Sequence, residues 1–139
     1  RLMRQALRRL PLDDFVAAVV ARVKEGTGIK CVTDANKEPS PLYSVGALSV
    51  RPDKTKTMWL DVYTIELHAI SKPSKTREEI FKMVTALEEA MSQPISLSCP
   101  FQVIRQTDNG LNTIKRDETG EWHAVVPFEV VVSYGLIIK

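Results

Sequence analysis

A chain of 139 residues with 44% hydrophobic residues is long enough to bury one core and short for two, so we expect one compact domain. The formal net charge is +2, and four arginines lie within the first ten residues, so the remainder is slightly acidic. This balance argues against a general polyanion-binding surface on the body of the domain. The sequence also contains no apolar run of membrane-spanning length.

The two cysteines, Cys31 and Cys99, are too few and too far apart in sequence for a disulfide framework or a zinc site. A nearby histidine would favour a catalytic thiol, and neither cysteine has a histidine close to it in sequence. We therefore expect both to be reduced, buried and small apolar residues.

Residues 1–11 predict a basic amphipathic arm or short helix, separate from an α+β domain over residues 12–139. The apolar positions of this segment are Leu2, Met3, Leu7 and Leu10, and its basic positions are Arg1, Arg4, Arg8 and Arg9. Two interpretations stay open: an ordinary first helix with a solvated face, or an arm that contacts a neighbouring protein.

The next segments carry clear start and stop signals. Residues 13–25 predict a helix, because two acids at its start suit the helix dipole and Gly26 and Gly28 end it. Residues 30–41 contain two prolines and predict an extended loop. Residues 42–50 predict a strand with Gly46 as a bulge or close-contact point, and the short turn at 51–54 predicts an antiparallel hairpin with the strand that follows.

The stretch from Thr57 to Met91 passes from a strand period to a helix period. From Tyr63 to Ala69 odd positions are apolar and even positions polar, which is typical of a half-buried strand. Thr76 followed by Glu79 predicts a capping box at the start of a helix. That helix has an apolar stripe through Ile80, Val84, Leu87 and Met91.

The second half of the chain predicts further strands. One is centred on residues 101–104, and turn signals at 108–110 and 118–120 predict a long polar hairpin or a strand excursion between them. From Trp122 to Ile138 every even position is apolar, which predicts a principal strand. Its odd positions include Val131, so part of the second face should be covered, and Pro127 favours an edge position or a bulge. The fold class is therefore α+β, with about four mainly antiparallel strands flanked by helices.

Residues that could perform chemistry are few. His68 and Glu66 share the polar face of one strand and could form an acid–base pair, although any residues at i and i+2 share a face. His123 begins the last strand. The sequence has no glycine-rich phosphate loop, nucleophile elbow or histidine pair at metal spacing. We expect no enzyme activity and no cofactor.

Four segments together resemble the tail terminator and tail-completion proteins of long-tailed bacteriophages. They are VTDANKEPSPLYSVGAL, YTIELHAIS, TREEIFKMVTALEEAM and HAVVPFEVVVSYGL, in this order between Asp13 and Ile138. The resemblance implies a mixed sheet with flanking helices that assembles as a hexameric ring. Such a ring sits at the head-proximal end of the virion tail, caps the tail tube, stops its polymerisation and joins the tail to the head connector. It would assemble in the bacterial cytoplasm and let DNA pass without specific binding.

On this hypothesis, contacts with subunits or partners fall on residues outside the predicted core. The interface candidates are Arg4, Arg8, Glu66, His68, Asn109, Lys115, Arg116 and Val131. Alternative functions are a head-side completion or stopper protein, and a small ferredoxin-like binding or regulatory domain.

Overall fold

The computed structural model describes residues 8–35 and 38–137, which form two helices and six strands, so the predicted α+β class is confirmed. The predicted N-terminal arm lies mostly outside these residues, and Arg4 with it. In chain order the elements are α1 (Leu12–Thr27), β1 (Cys31–Val32), β2 (Leu42–Lys54), β3 (Met58–Ile70), α2 (Glu78–Ala90), β4 (Gln102–Asp108), β5 (Thr113–Arg116) and β6 (Trp122–Leu136). Neither described helix is long and apolar enough to cross a membrane.

The strands form one sheet in the order β1-β2-β3-β6-β4, and β5 also pairs with β6. Only β1 pairs in parallel; the other pairings are antiparallel. The sheet has more strands than the four predicted, because β1 and β5 are two and four residues long and too short to show a period. The described element order differs from the βαββαβ order of a ferredoxin-like domain.

The alternating sequence of β3 sets the position of the core. Tyr63, Ile65, Leu67 and Ala69 are at most 1% exposed and face the helices, as predicted. The even residues of β6 from Ala124 to Val132 join them on the same face. The ring of Phe15 in α1 stacks on Tyr63 with 4.0 Å between the centroids. The core therefore lies between one face of the sheet and the two helices.

The helix boundaries show which terminal signals operate. α1 ends at Gly28, whose φ of 73° is the left-handed conformation that glycine adopts without steric cost. The predicted capping box of α2 is wrong, because the helix begins at Glu78 and no side chain caps it. Glu79 Oε1 instead accepts a hydrogen bond from the Lys72 amide at 2.9 Å. The carboxylate thus holds the preceding loop against the helix.

The β2–β3 hairpin is confirmed, but the turn predicted at 51–54 is wrong, because these residues continue β2 and pair with β3. Residues 51–57 at the end of the hairpin are all exposed. The register shifts between Val45 and Leu48, so the bulge predicted at Gly46 is present. The ring of His68 lies directly against Gly46, where a Cβ would approach His68 Cδ2 to 2.8 Å. We call residues 51–57 the hairpin tip.

The structure decides between the two forms predicted for the region between the two later turns. Both turns are present, but the segment between them forms β5, which pairs with β6 immediately after the place where β4 leaves it. The described part of 108–120 is therefore a strand excursion that joins the main sheet rather than a separate hairpin arm.

Pro127 lies in an interior strand rather than at an edge, because β6 has β3 on one side and β4 and β5 on the other. Its carbonyl accepts from the Asn109 amide at 3.0 Å, so its nitrogen faces the same side, where β4 gives way to β5. The proline thus occupies a point where the ladder is already interrupted, which is why an interior strand tolerates it.

Candidate interface surfaces

The first candidate pair, Glu66 and His68, lies on the sheet face opposite the helices. His68 Nε2 is 3.6 Å from Glu66 Oε1, longer than a hydrogen bond, and the Nε2 atom is buried without a hydrogen-bond partner. Because the ring is held against Gly46, this nitrogen cannot readily exchange a proton with a substrate. The geometry favours a packing role over acid–base chemistry.

A small apolar cluster occupies the same face nearer the hairpin tip. It contains Leu60, Val62 and Val131, with Met58 packed against them. Val131 is only 4% exposed, so the second face of the last strand is covered at this position within a single copy. Its side chain is already buried within its own chain, and only the neighbouring polar residues remain open to a partner.

Two cations at the hairpin end of the sheet lie over aromatic rings. The Arg9 guanidinium is 5.8 Å from the centroid of Tyr134, and Lys54 Nζ is 5.8 Å from that of Trp59. Both distances are within the range of cation–π attraction. Together with the exposed Arg8, these residues make the end of the sheet basic and aromatic.

Asp61 is a buried carboxylate beneath this basic end. It is 2% exposed, and Arg9 Nε lies 3.4 Å from its Oδ2. Burial raises the pKa of Asp61, and the charge of Arg9 partly opposes that rise. The ion pair holds residue 9 against β3, and the hydrogen bond from Tyr63 Oη to the Leu10 carbonyl at 3.3 Å holds the next residue.

The opposite end of the sheet carries an acidic turn between β5 and β6. His123 Nε2 and Asp117 Oδ2 are 2.8 Å apart. Asp117 Oδ1 accepts from the amides of Thr119 and Glu121 at 2.9 and 3.1 Å, and the hydrogen bonds from Thr119 and His123 hold the pKa of Asp117 below its usual range. The turn is therefore ordered by one carboxylate.

This turn forms one wall of a recess of 280 Å³. The residues that line it are Ala35, Glu38, Leu42, Ile70, Asp117, Glu121 and His123. We call it the acidic recess, since three carboxylates face it. Donor atoms of Asp117, Glu121 and His123 lie within 4.8 Å of one another, close enough for a cation to bridge. The sequence prediction missed the recess because Glu38 comes from a distant loop; the only local signal was Asp117, Glu121 and His123 flanking a glycine turn.

The remaining candidates do not converge on one site. Arg116 lies 6.0 Å from the Trp122 ring centroid, on the helix side of the sheet, whereas Lys115 pairs in register with His123. Asn109 lies at the junction of β4 and β5. The predicted interface residues are thus distributed over the outer face, both ends and one edge of the sheet.

Two further groups have shifted proton affinities. Burial raises the pKa of the Cys31 thiol to about 12, so it stays protonated at neutral pH. Cys99 is exposed, which corrects the expectation that both cysteines are buried. A hydrogen bond with Asp108 raises the pKa of Glu88 to about 7 and links α2 to the end of β4.

An α+β subunit with charged ends and a partly exposed outer sheet face has the character of a structural building block. Over residues 6–139 the chain matches a family model described as "Putative tail termination protein", and it belongs to this family of phage tail proteins. It is a structural component of a phage virion, as the resemblance implied.

No curated protein matches the chain. Among solved structures, a chain from "Virion of native gene transfer agent (GTA) particle" has a TM-score of 0.67 at 16% sequence identity. The match covers 84% of this chain and 92% of the other. At this identity the likeness shows a shared fold.

Proposed function

We propose that the protein is a tail terminator that forms a hexameric ring on the end of the tail tube, stops tube polymerisation and joins the tail to the head connector. The family membership supports the place in the tail. The observation that carries the ring is the hairpin tip, whose residues 51–57 are all exposed at the end of a hairpin with thirteen residues in each strand.

An exposed tip of this kind suits a heterologous contact, in which one patch meets a different patch on the next copy. Such contacts close into a ring when the rotation between copies is a simple fraction of a turn. The strands fix the direction of the tip, because β3 is an interior strand paired along its length with β2 and β6. The tip is thus held stiffly enough to set an angle between subunits.

The mechanism is geometric and requires no catalysis or cofactor. The closed ring presents a flat face that covers the growing end of the tube. The next tube subunit therefore has no exposed tube surface to bind, and polymerisation stops. The opposite face is then free for the head connector. Glu66, His68, Asn109, Lys115 and Arg116 are the surface residues through which we expect neighbouring subunits or partners to contact the ring.

DNA passes through the ring without specific binding. Arginines in the channel would bind phosphates and retard passage, so Arg4 and Arg8 belong on the outside of the ring. Val131 contributes indirectly, because it packs beneath the outer face rather than on it.

The test is light scattering and sedimentation on the purified protein, alone and with tube protein. We expect a ring-sized species and shorter tubes as the protein is added in increasing amounts. A variant in which residues 54–59 are replaced by a two-residue turn keeps the Asp53–Leu60 pair as the new end of the hairpin, so it should remain folded by circular dichroism and lose both effects. A protein that stays monomeric and leaves tube length unchanged would contradict the proposal, and binding to connector alone would indicate a head-side completion protein.

A further inference from the structure

We propose that the basic hairpin tip of one copy docks into the acidic recess of the next copy. The inference rests on the proposed ring and identifies the two surfaces that close it. It begins with the distribution of charge over the described residues.

Charge is segregated along the sheet. The hairpin end carries five cationic side chains and two carboxylates, and one of those carboxylates, Asp61, is buried against Arg9. The cations are Arg8, Arg9, Arg51, Lys54 and Lys56. The other described residues carry ten cationic side chains and fifteen carboxylates. One end of the molecule is therefore positive, and the remainder is negative.

The two proposed surfaces lie at opposite ends of β6. Trp122 directly follows the acidic turn, whereas Leu136 pairs in register with Met58 next to the hairpin tip. A strand of fifteen residues spans about 50 Å, at roughly 3.3 Å per residue. One copy cannot bring its tip to its own recess, but a second copy placed head to tail can.

The recess has the chemistry to receive an ammonium group. Glu38, Asp117 and Glu121 line it. A carboxylate has about four acceptor positions. Asp117 uses its positions on Thr119, Glu121 and His123, whereas Glu38 and Glu121 each keep more positions than their contacts use. Lys30 lies 3.4 Å from Glu38, and Thr119 Oγ1 donates to Glu121 at 3.3 Å. These contacts hold the carboxylates in place and leave acceptor capacity directed at the recess.

The tip has lysines suited to that recess. Lys54 lies over the Trp59 ring, which limits where its ammonium group can point, and the exposed Lys56 follows it in the turn. Thr55 Oγ1 accepts from the amides of Thr57 and Met58 at 3.2 and 3.0 Å, so the turn that presents Lys56 is itself ordered. An ordered tip loses less entropy on docking than a mobile one.

The decisive experiment uses two charge-reversed variants. Lys54→Glu/Lys56→Glu reverses the tip, and Glu38→Lys/Glu121→Lys reverses the recess. Each variant alone places like charges together, so we expect its self-association to weaken at least about tenfold. Mixed in equal amounts, every tip meets a recess of opposite charge, and an alternating ring should form with close to wild-type affinity.

The control for the tip reversal is Lys24→Glu/Lys82→Glu, which makes the same change of net charge as that variant, but on the exposed sides of the helices. It should assemble as the wild type does. All proteins are compared by sedimentation at about 50 mM and about 500 mM salt, where screening should weaken the wild-type ring. EDTA in the buffer removes cations from the recess, and circular dichroism checks each fold.

If the wild type forms rings and both reversed variants assemble equally well, this docking is overturned while the proposed function stands. It is also overturned if tip reversal leaves rings intact but abolishes binding to a short DNA duplex, since the tip would then be a polyanion site. A wild type that forms no ring with or without tube protein overturns the proposed function itself. The docking is supported if the equal mixture assembles and each reversed variant by itself does not.

Discussion

At the scale of single residues, two glycines are placed where a neighbour leaves no space for a side chain. Gly46 lies under the ring of His68 on β3, and Gly26 lies against Ala90 of α2. Neither has the positive φ that Gly28, Gly110 and Gly120 have. The requirement at these two positions is therefore space, whereas at the other three it is backbone conformation.

The first prediction concerns Gly46. A methyl group there would approach His68 Cδ2 to 2.8 Å, so Gly46→Ala should force the imidazole out of place and lower the free energy of unfolding by about 1–3 kcal/mol. Urea titration measures the loss. In Gly46→Ala/His68→Ala the clash is gone, and the cost of the glycine substitution should become small; an equal cost in both backgrounds would refute the packing role of His68.

At the scale of elements, the two helices meet through the end of α1. Ala90 Cα would lie 2.9 Å from a Cβ on Gly26, so the helices approach more closely there than two alanines allow. Tyr43 fastens β2 to the other side of α2, because its hydroxyl donates to the Met83 carbonyl at 2.7 Å. The Tyr43 contact is buried, whereas Gly26 is exposed and lies against the buried Ala90. Together the two contacts set the position of α2 on the sheet.

The second prediction tests this helix contact. Gly26→Ala would raise intrinsic helix propensity by about 1 kcal/mol, yet we expect net destabilisation of about 1–3 kcal/mol from overpacking. Ala90→Gly returns the missing space, so the double variant should be more stable than the sum of the single effects predicts, by about 1 kcal/mol. Thermal and urea unfolding of the wild type, the two single variants and the double variant complete this double-mutant cycle. If the changes in the free energy of unfolding are strictly additive, the helices are not in close contact at these residues.

The third prediction concerns the carboxyl pair that links α2 to β4. Asp108 raises the pKa of Glu88 in the folded state from 4.5 to about 7, so between these values the folded protein binds more protons than the unfolded one. This contribution to stability is complete below about pH 4.5 and is lost as pH rises through about 7.

Glu88→Gln removes the titrating proton while keeping a hydrogen-bond donor toward Asp108. Its free energy of unfolding should therefore fall less between about pH 5 and about pH 8 than that of the wild type. The exposed neighbour substitution Glu89→Gln is the matched control and should follow the wild-type curve. Parallel curves for wild type and Glu88→Gln would show that the pair does not hold a proton.

The elements differ in how far sequence predicts them. The alternation of Tyr63 to Ala69 places each residue on the correct face, because a strand with one buried face needs that period. Thr76 and Glu79 failed as a capping box because the Lys72 amide competes for the Glu79 carboxylate. The local sequence does not show that the strand prediction holds and the capping-box prediction fails, since the competing Lys72 amide is positioned by the loop that leaves β3.

The candidate surfaces were harder to predict than the core. His68 was identified correctly as a residue of the polar face, but its burial against Gly46 depends on the register of β2 with β3. Glu38 and Asp117 are far apart in sequence and meet only after β5 pairs with β6. Sequence periodicity specifies faces; the meeting of distant loops requires the complete topology.

At the scale of the whole molecule, the sheet is a stiff strip with unlike ends. β3 and β6 are interior strands paired over most of their length, whereas among the described residues β2 has only the two residues of β1 on its outer side. Amides of β3 and β6 should exchange slowly with solvent in a single copy, because their opening requires unfolding of the core. Amides of the hairpin tip and of the acidic turn should exchange quickly there.

The fourth prediction uses this contrast to locate the assembly contacts. When the protein associates, hydrogen exchange followed by mass spectrometry should slow at residues 51–57 and at 117–121 together, with little change in α2. Joint protection is expected because each contact in a closed ring uses one tip and one turn, and every copy supplies both. Protection at the tip without protection at the turn would mean that the tip contacts another protein, and protection confined to the outer sheet face would place the interface at Glu66 and His68 instead.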